Sequence, residues 1–335
     1  MRAIQLERPG AARLIDVAEP KRAGGDALLR VRMVGMCGSD LNTFRGKNPM
    51  VSYPRIPGHE VAATVIDPGN SGLQPGTNVT LSPYTSCNVC ASCRRGRPNA
   101  CKHNQTLGVQ RDGAMTEMIC VPGEKLYAAQ LDLKMLCLVE PLTVGTHAVS
   151  RGRVTAQDTV AVFGCGGVGL GAITAAAFRG AKVVAIDVDD TKLETARKAG
   201  ASLLLNTTRD DLHLRLQEYT NGLGPDVVIE AIGLPQTFQA AVEEAAFTGR
   251  VVYIGYAKTP VSYETSLFVQ KELDILGSRN ALPEDFREVI RLLEAGRFPV
   301  EDAISVIGPL ADAPRLLTEW SDAPANFTKI MISLD

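Results

Sequence analysis

Thr159-Val160-Ala161-Val162-Phe163 runs straight into Gly164-Cys165-Gly166-Gly167-Val168-Gly169, and a second short apolar run, 182–186, ends at Asp187. The first five residues suit a buried strand, and the glycines suit a tight turn that opens a helix. Such a turn lets backbone N–H groups approach a pyrophosphate closely, at a helix end whose dipole favours the negative charge. Asp187 lies eighteen residues past Gly169. It is placed to accept hydrogen bonds from ribose hydroxyls and to repel a 2′-phosphate, which favours NAD over NADP. The expected cofactor residues are therefore Gly164, Gly166, Gly167, Val168, Gly169 and Asp187, with Lys192 counted among them. A glycine turn needed only for packing is the plainer alternative, and the flanking strand, helix and acid argue against it.

Further apolar runs follow at 202–205, 226–230, 250–254 and 273–276, with helical segments such as 191–198 and 235–246 between them. That alternation predicts an α/β region with a doubly wound parallel sheet. Upstream, residues 1–147 carry short β-like runs at 27–34, 60–66 and 78–81, separated by turn signals such as Pro68-Gly69 and Pro75-Gly76. They predict a β-rich, barrel-like domain. Downstream, 283–295 and 313–320 read as helices, and 328–333 reads as a strand that could return to the first domain. The expected divisions are 1–147, 148–278 and 279–335.

A chain of 335 residues exceeds what one core usually serves, so more than one domain is expected. A formal charge of −2 lacks the basic excess of a nucleic-acid-binding surface. The N-terminus meets Glu7 and Arg8 before any signal-like apolar run, so a cytoplasmic protein is expected. Residues 160–178 are uncharged over roughly a membrane-spanning length, but their glycines divide them into strand, turn and helix.

Four of the eight cysteines, Cys87, Cys90, Cys93 and Cys101, fall within fifteen residues. Four soft thiolates suit a tetrahedral Zn²⁺ whose closed shell leaves no position for chemistry, so a structural zinc lobe is expected over 84–104. An iron–sulfur cluster is the chemical rival. A nucleic-acid zinc module is supported only by Arg94, Arg95 and Arg97. Cys120, Cys137 and Cys165 are expected to pack without further role.

Cys37-Gly38-Ser39-Asp40, Gly58-His59-Glu60 and Glu140-Pro141-Leu142 are weak signals singly. Together with the cysteine lobe and the glycine turn, they occur in the order found in the zinc-containing medium-chain dehydrogenase/reductase family, which the chain resembles along nearly its whole length. Within that family it resembles the polyol and sugar-acid branch; Tyr53–Glu60, 108–113 and 277–280 carry the likeness to L-galactonate 5-dehydrogenases, beside sorbitol and threonine dehydrogenases.

The resemblance implies a GroES-like catalytic domain made of both chain ends, a Rossmann NAD-binding domain between them, an active site in the cleft, and a homodimer or homotetramer. It places Cys37 and His59 on a catalytic zinc, with Glu60 and Glu140 as alternatives for the remaining ligand. Ser39 becomes the proton relay and Asp40 the partner that fixes His59. A Lewis-acidic metal is what such chemistry needs, because hydride leaves a carbinol carbon readily only when the hydroxyl proton is already leaving.

The cations Arg45, Lys47, Arg111 and Arg279 lie near substrate-loop positions. A bidentate arginine clamp on a carboxylate favours an aldonate-type sugar acid as the substrate, oxidised at a secondary alcohol. A neutral polyol is the alternative, and the three arginines then become ordinary loop charges. A zinc- and NAD-binding protein without catalysis is the remote reading; it expects loss of Cys37, His59 or Glu140, and all three are present. Neither a nucleic acid nor a membrane is an expected partner.

Overall fold

Two hydrophobic cores organise the 335 residues that the computed structural model describes. The chain divides into one unit of residues 1–140 with 300–335, and another of 141–299.

In the first unit, β1 (Arg2–Arg8) and β2 (Ala11–Asp16) form a hairpin. The larger sheet uses β3 (Asp26–Met36), β4 (Glu60–Asp67), β5 (Asn78–Leu81), β6 (Met118–Pro122) and β7 (Leu126–Ala128). A short helix, α1 (Gly38–Phe44), follows β3, and α2 (Ala91–Arg94) lies in the cysteine lobe. Ala27, Leu29 and Val31 alternate inward along β3, the period-two pattern of a half-buried strand. Beyond Met33 the strand is buried on both faces, and there it carries the functional site.

Helix α3 (Leu133–Arg151) is nineteen residues long and contains Pro141, where the two units divide. Its sequence gives no helical signal because Leu136–Pro141 is buried on every side, leaving no polar stripe to mark a period.

The second unit is a six-stranded parallel sheet of β8 (Thr159–Phe163), β9 (Lys182–Asp187), β10 (Leu203–Asn206), β11 (Val227–Glu230), β12 (Arg250–Tyr253) and β13 (Asp274–Gly277). Helices α4 (Gly167–Phe178), α5 (Asp190–Lys198), α6 (Leu212–Tyr219), α7 (Pro235–Glu244), α8 (Ser266–Gln270) and α9 (Pro283–Glu294) connect or follow the strands. The spatial order is β10-β9-β8-β11-β12-β13, the doubly wound order whose direction reverses between β8 and β11.

Residues 279–299 pack in this second unit, so the return begins at Val300 and not at residue 279. Helix α9 buries Phe286, Val289, Leu292 and Leu293, and polar contacts add to that: the Asp285 carboxylate lies 2.8 Å from His147 Nδ1 and accepts from Ser150 Oγ, while Glu288 pairs with Arg179. These contacts tie α9 to α3 and α4. The return itself comprises α10 (Val300–Ala303), β14 (Val306–Pro309), α11 (Ala313–Asp322) and β15 (Ile330–Ser333). Strand β15 runs antiparallel to β3, with Ile330 opposite Met36. The uncharged stretch 160–178 becomes β8, the turn and α4, and no helix is long and apolar enough to cross a membrane.

Asp158, just before β8, is buried and bonded to Arg250 and to the Thr155 amide. Burial works against its charge, but those donors outweigh it and hold the carboxyl below its ordinary value. A depressed folded-state pKa contributes stability above the unfolded value and loses it as pH falls through the folded one. Asp158→Asn is therefore expected to cost roughly 1–2 kcal/mol at pH 7, and progressively less below about pH 4. Urea unfolding at pH 7 and pH 3 checks this; an equal loss at both would contradict it.

Candidate metal and dinucleotide sites

The cysteine lobe gathers Cys87, Cys90, Cys93 and Cys101, whose sulfurs all lie within 4.8 Å of one another. Three of the sulfur pairs are 3.5, 3.5 and 3.8 Å apart. That is far beyond a disulfide bond, and close to the edge of a tetrahedron with metal–sulfur bonds of about 2.3 Å. Thiolates bound to separate irons of a cluster would stand wider apart, so the spacing favours one ion. Backbone amides of Cys87 and His103 point at Cys101 Sγ, each at 3.3 Å. The Ser92 hydroxyl and the amides of Cys93 and Lys102 bring the Cys90 thiol down to about 5. The donor set fits a closed tetrahedral metal.

The second cluster is assembled from distant segments. Cys37 sits at the head of α1, where its amide donates to Asp40 Oδ2 at 2.9 Å. Glu60 opens β4 opposite Gly35 of β3, and a Cβ at Gly35 would stand 2.1 Å from Glu60 Oε2. Only a glycine leaves room for that carboxylate to fold across the sheet. The ligand atoms of Cys37, His59 and Glu60 lie within 4.8 Å of one another. Glu140 is outside that trio; its Oε1 accepts a hydrogen bond from the buried Tyr84 hydroxyl. Lys329, just ahead of β15, donates to both Glu60 oxygens at 2.6 Å and to the Met36 carbonyl at 3.3 Å.

This pocket is strongly anionic for its depth. His59, Glu60 and Glu140 are each no more than 5% exposed. Burial opposes a charge on His59, yet Cys37, Asp40 and Glu140 draw its pKa well above the ordinary value. Burial raises the carboxyls of Glu140 and Asp40. His59 Nδ1 and Ser39 Oγ are buried with no hydrogen-bond partner. Unsatisfied donors beside a thiol and carboxylates call for a further occupant, and the mixed sulfur, nitrogen and oxygen set fits a catalytic-type zinc. Asp40, in the first turn of α1, accepts from the Cys37 amide and acts on His59 electrostatically, with no hydrogen bond to its Nδ1.

In the second unit, Gly166 caps α4, and a Cβ at Gly169 would stand 1.7 Å from the Gly164 carbonyl oxygen. Glycine at 169 is thus required for the helix to start this close to β8. Gly164 abuts Ala231 and Ile232 after β11, which puts the turn at the point where strand order reverses. No side-chain acid stands in the first turn of α4, so the helix end is open to an anion. Asp187 ends β9 and accepts from the amides of Cys165 at 2.7 Å and Val188 at 2.8 Å. The carboxylate is held against the glycine turn. Lys192 is in the first turn of α5, near enough to Cys165 to act on its thiol, while Asp189 caps that helix. The pyrophosphate and ribose requirements of a dinucleotide fit these residues.

The arginines part company. Arg45 is tied by its guanidinium to the Ser321 hydroxyl and carbonyl. Arg111 makes one long hydrogen bond, 3.4 Å to the Pro83 carbonyl, and its Nε is buried without a partner. Asp112 beside it is already paired with Arg55. Lys47 is exposed, as is Arg279 on the loop after β13 in the other unit. Sequence reasoning missed Tyr84 and Lys329. Neither belongs to a motif, and only the pairing of β15 with β3 explains why Lys329 arrives at Glu60.

A doubly wound dinucleotide-type sheet in one unit and a metal-ligating β domain in the other are the parts of a metal-dependent oxidoreductase of the CH–OH class. Residues 23–130 match the alcohol dehydrogenase GroES-like domain and 167–295 the zinc-binding dehydrogenase domain. An uncharacterized zinc-type alcohol dehydrogenase-like protein of Haemophilus influenzae is 34% identical, over 98% of each chain. L-galactonate-5-dehydrogenase of Escherichia coli is 32% identical over 87% of each. Among solved structures, an alcohol dehydrogenase of E. coli CFT073 in complex with NADH superposes with a TM-score of 0.91 at 27% identity, covering 100% of this chain and 99% of that one. The chain belongs to the zinc-binding alcohol dehydrogenase family.

Two independent metal sites imply independent losses. Cys101→Ser is expected to remove one zinc of two per chain and to lower thermal stability, while Cys37→Ser removes the other and leaves the lobe intact. Metal analysis of the purified variants decides; one zinc in the parent protein would contradict the second site.

Proposed function

We propose that the protein oxidises a secondary alcohol of an aldonate-type sugar acid to the ketone, with NAD as the acceptor. The observation that carries the substrate class is Arg111. It is a half-buried guanidinium whose Nε has no hydrogen-bond partner; Asp26 acts on it electrostatically, but burial outweighs that support. Its loop packs on the residues before His59, with the Ala114 amide donating to the Gly58 carbonyl at 2.9 Å. A buried cation left this poorly paired is costly in the free protein and is suited to a carboxylate ligand. The L-galactonate enzyme among the relatives acts on a substrate of that kind.

Zinc held by Cys37, His59 and a carboxylate would supply a Lewis acid that lowers the pKa of the substrate hydroxyl. NAD, held by the turn 164–169 and by Asp187, would supply the hydride acceptor. Ser39 Oγ, two residues from Cys37 and without a partner, takes the hydroxyl proton and passes it outward. Arg111 orients the far end of the chain so that one carbinol carbon is presented. The balance is one alcohol and NAD⁺ giving ketone, NADH and a proton.

NADH production on a matched panel of aldonates and alditols tests this. Aldonates are expected to react preferentially, and Arg111→Gln to lower their kcat/KM by roughly 30- to 100-fold, the equivalent of about 2–3 kcal/mol, with alditols little changed. Turnover of alditols with inert aldonates would reject the clamp. Reaction with neither class would remove the polyhydroxylated substrate.

A further inference from the structure

The two carboxylates of the metal pocket have partners of different strength. Glu60 has both oxygens on an ammonium, Lys329. Glu140 has Oε1 on a neutral hydroxyl, that of Tyr84. Both acids are nearly inaccessible to solvent, and Tyr84 is 6% exposed, so water does not compete for these bonds. Glu140 is nonetheless close enough to act electrostatically on His59, while remaining outside the trio of ligand atoms. A buried carboxylate released from a hydroxyl would find a divalent cation its strongest nearby partner. The Tyr84 hydroxyl is the hydrogen bond at Oε1 that coordination through that oxygen would have to break.

On the reading of Cys37 and His59 as metal ligands, we propose that Tyr84 is a positioning residue that holds Glu140 off the catalytic metal. It thereby keeps open the coordination position that a substrate hydroxyl takes. Tyr84 stands in the chain directly after Pro83, whose carbonyl receives Arg111. The same short segment thus positions both the reserve carboxylate and the cation assigned to the substrate.

Tyr84→Phe removes the hydroxyl and keeps the ring. In the zinc-loaded protein, release of the catalytic metal to a chelator is expected to slow about 10-fold, the scale on which partners of metal ligands act. With cobalt in that site, the visible absorption should weaken as coordination rises, and KM for the alcohol should increase. In a Glu140→Gln background the same substitution should change neither release rate nor spectrum, because the competing carboxylate is gone.

Glu140→Gln alone supplies a second route should Tyr84→Phe fold poorly. The proposal expects metal release no faster than in the parent, since Glu140 is not a standing ligand. Faster release from Glu140→Gln, or an unchanged rate and spectrum in Tyr84→Phe, would overturn the role of Tyr84. A parent protein holding only the lobe zinc would instead remove the catalytic metal site itself, which separates the two failures.

Discussion

The interaction on which the first unit turns is the buried pair between Lys329 and Glu60. Lys329 lies just ahead of the last strand and Glu60 at the start of β4, 269 residues apart in sequence. A carboxylate this deep is stable only with a partner that meets its charge and its hydrogen-bonding oxygens. The ammonium does both, and it adds a bond to the Met36 carbonyl next to Cys37. The pair therefore closes the chain ends around the site and fixes the spacing of its ligand atoms. Gly35 makes it feasible, since any side chain there would collide with the carboxylate.

One ammonium does not neutralise what surrounds it. The Cys37 thiol, Glu140 and Asp40 lie in the same buried region, and their combined field is what pulls His59 toward its protonated form. A divalent cation held there would meet the same field. The cysteine lobe reaches the opposite balance: its sulfurs are already at single-ion spacing and its amides already aim at them. Two candidate metal sites in one domain thus differ in donor type and burial.

The legible parts of this chain were those whose determinants are close in sequence. The strand, turn and helix of the dinucleotide site occupy residues 159–178, and Asp187 ends the next strand, so local spacing carries the chemistry. The four cysteines are legible for the same reason. Helix α3 was not, because a helix buried on all sides shows no amphipathic period. The membership of α9 in the second unit involves contacts far apart in sequence, such as Asp285 with His147, 138 residues away. Tyr84 and Lys329 carry no pattern at all, and the bonds of Arg45 to Ser321, 276 residues away, have no local signature either.

The central claim is that this pocket is an anionic cage balanced jointly by Lys329 and a metal. The most direct measurement is the unfolding free energy of Lys329→Met, in metal-free and in zinc-loaded protein. Removing the ammonium leaves Glu60 buried and unpaired, which costs about 3–5 kcal/mol. The account predicts a loss of that order without metal and a much smaller one with zinc bound, since the ion replaces the missing positive charge. An equal loss in both forms would mean that Lys329 and the metal do not share the charge, and would contradict it.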